Sequence, residues 1–173
     1  KPAMTSHPVS VPQPDGTAYR AAMARLGASV HIVTSSGPAG RVGLTASAVC
    51  SVTDDPPMLL VCLNRRSSAH DTTLANGVLC VNTLAAGHET LSRRFSSGGD
   101  MDGRFAQGMW GCLETGSPVL EDAMAVFDCR IVDTTRQGTH TVMFCEVQGL
   151  RTGEAPAGLF YFSRTYHALG PAT

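Results

Sequence analysis

The hydrophobic positions of this chain gather into seven short strand-like runs. They are residues 29–35 (SVHIVTS), 42–52 (VGLTASAVCSV), 57–64 (PMLLVCLN), 77–84 (GVLCVNTL), 124–135 (MAVFDCRIVDTT), 139–150 (THTVMFCEVQGL) and 158–163 (GLFYFS). Helical spacing appears from Thr17 to Leu26, with Gly27 where a C-terminal cap falls, and in the shorter stretches 67–77 and 88–98. Strict alternation of strand and helix is absent, which disfavours a doubly wound parallel sheet. The pattern predicts a mainly β fold, a mostly antiparallel barrel decorated with a few short helices. Asp54, Asp55, Pro56 and Pro57 mark a turn between the second and third runs. Residues 1–16 are rich in Pro and Ser without apolar periodicity, so a flexible segment is expected ahead of a single domain over 17–173.

The second run differs from the others. Its positions are small: Thr45, Ala46, Ser47, Ala48, Cys50 and Ser51. Buried Leu, Ile and Phe supply most of the transfer energy of a core, so a strand that only filled a core would be bulkier. Either this strand packs tightly under another element, or a flat ligand approaches its backbone. In 64–77 (NRRSSAHDTTLANG) a strand ends at Asn64 and a helix is expected to begin about Ser67. Free amides, the dipole, a Ser67 or Ser68 hydroxyl and the charge of Arg65 or Arg66 together suit an anion. The plainer alternative is that Ser67 only caps the helix and the arginines are solvated. Taken with the small-residue strand, the combination favours a planar ligand with a phosphate tail.

Composition narrows the classes. The chain has 173 residues, 43% hydrophobic and 16% charged, as one compact domain requires. Net charge is -1 and no Lys/Arg stripe recurs, so no nucleic-acid partner is expected. No apolar run approaches the roughly 20 residues that span a bilayer, and the start lacks the order of a signal peptide, so no membrane partner is expected. The six cysteines (50, 62, 80, 112, 129, 145) never form C-x-x-C and are expected as reduced core residues of a cytoplasmic protein, with Cys50 kept open by its place in the small-residue strand. The six histidines (7, 31, 70, 88, 140, 167) show no i, i+4 pair, and no metal site is expected. No G-x-G-x-x-G, P-loop or G-x-S-x-G motif occurs, so a nicotinamide nucleotide would not be held by a Rossmann turn.

In ordered succession, GRVGLTASAVCSVTDDPPMLLVCLNRRSSAH, NGVLCVNTLAAGHETLSRRF, MDGRF, FDCRIVDTTRQGTHTVMFCEV and LFYFSRTYH resemble the short-chain flavin reductases of two-component flavin monooxygenases, most nearly the reductase component of pyrimidine-ring opening. The likeness runs from about Tyr19 to His167. It implies an FMN-binding split barrel, usually a homodimer, that moves hydride from NADH or NADPH to FMN or FAD and supplies reduced flavin to a partner flavin-dependent monooxygenase. By the same resemblance Thr45, Ala46, Ser47 and Ala48 line the isoalloxazine with Cys50 and Ser51 close by, and Asn64, Ser67 and Ser68 hold the ribityl chain and phosphate. Asn82 either faces the pocket or caps a strand end, and Phe95 either covers the flavin or fills a helix core. The family's Gly-Asp-His segment beside the nicotinamide reads Gly138, Thr139, His140 here, which makes His140 the candidate catalytic residue and removes the carboxylate that would orient its ring. Tyr166 and His167 match a family ending near the pocket, or lie on the surface after the last strand. Two other classes stay open: a flavin-binding carrier or sensor without turnover, and an oxidase of a small amine such as a pyridoxamine phosphate.

Overall fold

The computed structural model describes residues 13–171. Most of the expected flexible segment 1–16 thus lies outside the described residues. Its last residues are ordered, because Asp15 caps helix α1 (Gly16–Met23) by accepting from the Thr17 and Ala18 amides at 2.9 and 2.7 Å. The helix ends before Leu26. Arg25 and Leu26 bond three residues back, to Ala22 and Met23, and tighten the last turn, so Gly27 is not its cap. No residue of α1 is buried.

The strands follow in chain order. They are β1 (Ala28–Ser29), β2 (His31–Gly37), β3 (Gly40–Ala46), β4 (Val49–Asp54) and β5 (Pro57–Asn64), then helix α2 (His70–Asn76) and β6 (Val78–Thr83). Helices α3 (Glu89–Ser96) and α4 (Met101–Phe105) lead to a small hairpin, β7 (Trp110–Cys112) and β8 (Pro118–Leu120). The long strands β9 (Ala125–Gln137) and β10 (His140–Thr152) precede β11 (Gly158–Phe162) and β12 (Thr165–Leu169). Seven strands form one antiparallel sheet in the order β3-β2-β6-β9-β10-β5-β4, and β1-β11-β12 form a second sheet. Strands β3 and β4 sit at opposite edges of the large sheet yet are separated by only Ser47 and Ala48. Two residues cannot cross a flat seven-stranded sheet whose strands lie about 4.8 Å apart. The sheet must therefore roll up and bring its edges together, which yields the expected split barrel.

Alternation sorts the side chains. In β5, Leu59, Val61 and Leu63 point into the barrel and are buried, meeting Val33, Leu79, Val81 and Met143, while Leu60 and Cys62 are half-exposed. Each full burial of such a side chain stabilises by roughly 1.5–3 kcal/mol. A second cluster, with Ile32, Leu84, Leu91, Phe95, Phe105 and Leu120, lies under α3, α4 and the small hairpin. The cysteines divide. Cys80, Cys129 and Cys145 are buried as expected, Cys62 is half-buried, and Cys50 and Cys112 are exposed; all six are free. Burial raises the Cys145 thiol to about 12, so it stays protonated and inert.

Candidate functional site

The small-residue run is not one strand. It breaks at Ser47–Ala48, where the Val49 amide donates to the Ser47 carbonyl at 3.0 Å and the Cys62 amide donates to the Ala48 carbonyl at 2.9 Å. This corner is the seam of the barrel. Ser47 and Ala48 are exposed, Thr45 and Ala46 half-buried, and Cys50 and Ser51 exposed on β4. Small side chains at the seam leave backbone accessible, and three cavities meet at Ser47. One of about 250 Å³ is lined by Val30, Thr45, Ala46, Ser96, Tyr161 and Tyr166. A second, about 510 Å³, runs past Cys50 and Ser51 to His31 and Phe127. The third, about 970 Å³, takes in Ala48, Cys50 and Tyr161 and reaches α1. Small-molecule sites span roughly 300–1,000 Å³. No bulky side chain plugs the floor, so the residues present suit a planar ring.

The first cavity is braced by hydrogen bonds. The Thr45 hydroxyl donates to the Ser92 carbonyl at 2.6 Å, and the Ser92 hydroxyl lies 2.9 Å from the Tyr166 hydroxyl. Tyr166 stands opposite Tyr161 in the β11–β12 ladder, with ring centroids 5.1 Å apart, and the Arg93 guanidinium lies 4.9 Å from its ring centre. Sequence reasoning placed Tyr166 and His167 after the last strand. They are instead inside β12, a short and mostly exposed strand, TYHAL, with no clear period-two pattern. Tyr161, Ser92 and Ser96 were not anticipated, although pairing of LFYFS with RTYHAL would have brought Tyr161 to Tyr166.

The helix expected to begin about Ser67 begins at His70, and its N-cap Ala69 offers no side-chain bond. The reason is a competing turn. Asn64 Oδ1 accepts from the Arg66 amide at 2.9 Å, the Ser67 amide donates to the Asn64 carbonyl at 2.9 Å, and Ser67 Oγ accepts from the Ala69 amide at 3.3 Å. The buried His70 pins this turn, with Nε2 2.9 Å from the Thr141 hydroxyl and Nδ1 2.7 Å from Asp71. Asn64, Arg65, Arg66 and Ser68 are exposed. Asn64 stands opposite His140 in the β5–β10 ladder, and the Arg65 amide donates to the Thr139 carbonyl at 2.9 Å. His140 follows a two-residue hairpin whose Gly138 has φ +54, and its Nδ1 lies 2.9 Å from the Thr139 hydroxyl, which occupies the place of the missing carboxylate. The structure thus brings Asn64, Ser67, Ser68 and His140 together at one turn. That turn lines none of the three cavities at Ser47.

Two expected contacts are corrected. Asn82 neither faces a cavity nor caps a strand end: it is fully buried within β6, its Nδ2 donates to the Ile32 carbonyl at 3.1 Å, and its Oδ1 accepts from the Leu120 amide at 2.7 Å, fastening β8 onto the barrel. Phe95 takes the helix-core alternative, buried against Phe105 and Trp110 at 5.1 and 5.5 Å between ring centres. It lies under Gly43, where a Cβ would come within 2.6 Å of its ring. His31 escaped notice because one histidine in an apolar run carries no spacing signal. Its Nδ1 lies 3.0 Å from the Thr83 hydroxyl, and burial lowers its pKa to about 4.

Comparison with known proteins agrees with this geometry. The sequence profile described as "Flavin reductase like domain" matches residues 23–170. A Variovorax paradoxus (strain S110) protein named FMN reductase (NADH) RutF is 62% identical over 151 residues, 87% of this chain and 84% of the relative. The crystal structure of ycdh from Haemophilus somnus 129pt is 44% identical with a TM-score of 0.88, covering 90% of this chain and all of that one. The Streptomyces globisporus C-1027 NADH:FAD oxidoreductase SgcE6, solved in complex with NAD and FAD fragments, is 25% identical with a TM-score of 0.85, covering 94% and 98%. With the profile spanning nearly all of the barrel and the nearer relatives matching across most of their own length, the chain belongs to the flavin reductase like domain family.

Proposed function

We propose that this chain is an NADH-dependent FMN reductase that hands reduced flavin to a partner flavin-dependent monooxygenase. The observation that carries the reading is the unplugged seam, Thr45 to Ala48, at the meeting of three cavities. The relatives' name, FMN reductase (NADH), supports both the flavin and the donor. When bound, the flavin supplies a hydride-accepting ring position and the reduced nicotinamide supplies the hydride.

The chain's own residues do the rest. Thr45, Ala46, Ser47 and Ala48 form the bed of the isoalloxazine, with Cys50 and Ser51 at its border. Seam amides offer dipoles where negative charge gathers on reduction. Asn64 lies two residues, about 7 Å of strand, beyond the rung that joins Cys62 to Ala48, so Asn64, Ser67 and Ser68 are within reach for the ribityl and phosphate tail. His140, beside Asn64, donates a hydrogen bond to the nicotinamide amide; no general acid or base is needed for hydride transfer itself. Residues 17–173 act as one domain, and the protein works in the cytoplasm as a homodimer. Among the described residues no helix is long and apolar enough to cross a membrane.

Anaerobic titration tests the reading. Adding FMN and then NADH is expected to show flavin binding followed by bleaching of its visible absorption, and absence of flavin-dependent NADH oxidation would overturn it. His140→Ala is expected to raise the KM for NADH with kcat changed less.

A further inference from the structure

The cavity of about 970 Å³ adjoins the smaller cavity at Ser47 and Tyr161, which line both. Hydride transfer demands that donor and acceptor rings touch, so a donor seated on the flavin must extend along a groove that opens from the flavin floor. This groove does so. Its floor is Ser47 to Cys50, its sides are α1 and the β11–β12 hairpin, and its two charged lining residues are Arg20 and Arg164. No Asp or Glu lines it, and neither arginine has a carboxylate partner within 4 Å among the described residues.

Arg164 is held there in an unusual way. Ser163 and Arg164 are the two central residues of the hairpin between β11 and β12, with φ of +50 and +64. Both lie in the left-handed region, which a type I′ turn requires and which Asn and Gly occupy most readily. An arginine there costs conformational energy that an Asn-Gly turn would not. The hairpin tip is tied to the end of α1 by the Ser163 amide, which donates to the Ala24 carbonyl at 2.7 Å. On the facing side, Arg20 Nη2 donates to the Thr17 hydroxyl at 3.2 Å. Arg20 and Arg164 thus line one groove from two elements joined to each other.

We propose that this groove is the bed of the dinucleotide hydride donor and that Arg164, together with Arg20, binds its diphosphate. The assignment rests on the reductase reading above and is separate from the turn at Asn64, Ser67 and Ser68 proposed for the flavin phosphate. Guanidinium forks match the paired phosphate oxygens of a dinucleotide, and binding energy won there holds the nicotinamide end against the flavin.

The test compares two donors. Arg164→Gly, which suits the positive φ and so protects the fold, is expected to raise the KM for NADH about tenfold, the scale of one charge-assisted hydrogen bond. With reduced nicotinamide mononucleotide, which has no diphosphate, parent and variant should show the same KM. The KM for FMN should not move, and the NADH effect should shrink as ionic strength rises. Adding Arg20→Gln should raise the NADH KM further. An unchanged NADH KM in the double variant, or an equal rise with the mononucleotide, overturns the assignment. Calorimetric titration with ADP separates it from the reductase reading: binding that the parent shows and Arg164→Gly loses supports the site even without turnover, and equal ADP binding by both refutes it.

Discussion

The hydroxyl of Tyr166 stands 2.9 Å from the hydroxyl of Ser92, whose carbonyl in turn accepts the Thr45 hydroxyl. One helix residue therefore ties a wall of the first cavity to its floor. Tyr166→Phe keeps the ring and removes the outer bond, a loss of about 1 kcal/mol if nothing replaces it. The expected result is a Tm a few degrees lower and an FMN affinity reduced several-fold, read by thermal melting and by quenching of flavin fluorescence.

Ser47 is exposed, so enlarging it tests the site without loading the core. Ser47→Phe places a ring where three cavities meet. FMN binding is expected to weaken at least tenfold while the melting temperature stays within a few degrees of the parent. Unimpaired FMN binding would remove the seam from the site.

Asn82 separates support of the fold from contact with cofactor. Its side chain is fully buried with donors and acceptor both engaged, so Asn82→Ala strands the Leu120 amide and takes a donor from the Ile32 and Pro118 carbonyls. Stability should fall by roughly 2–4 kcal/mol in urea unfolding, with each unsatisfied group costing about 1–3 kcal/mol. The KM values for FMN and NADH of the folded fraction should be unchanged.

Burial holds the His31 imidazole at about 4, against 6.5 when free. Between these values the unfolded chain binds a proton that the folded chain does not, so this contribution to stability is complete above pH 6.5 and is lost as pH falls toward 4. At about 1.4 kcal/mol per pH unit the loss is on the order of 3 kcal/mol. His31→Gln should flatten the fall in urea midpoint between pH 6.5 and 4.5.

Much of the barrel was legible because its strands carry strong period-two patterns: the inward Leu59, Val61 and Leu63 announce β5 by themselves. What stayed hidden depended on pairing between distant segments. Nothing local in VGLTASAVCSV says that its halves belong to opposite edges of a sheet, and TYHAL becomes a strand only beside LFYFS. The seam proposed as the flavin floor was visible in the size of its side chains, since Thr45 to Ala48 are too small for a core. Asn82 misled because a polar residue on a strand looks the same whether it meets a ligand or a distant main chain. The Asn64 turn was legible in its residue types, but a side-chain bond to Arg66 displaced the helix start by three residues.

The corner at Ser47–Ala48 gives the protein a particular vulnerability. Ladder pairing holds every neighbouring pair in the seven-stranded sheet, but among the described residues no ladder joins the two outermost strands, which are held there by the Ser47–Ala48 link and by the core that Leu44, Ala46 and Val49 share. A protease cut or a circular permutation opening at this dipeptide would leave all six pairings available while freeing the cylinder to unroll. Under the proposed function, flavin bound across the same dipeptide would act as a clasp, so ligand protection against cleavage should be greatest at this one bond.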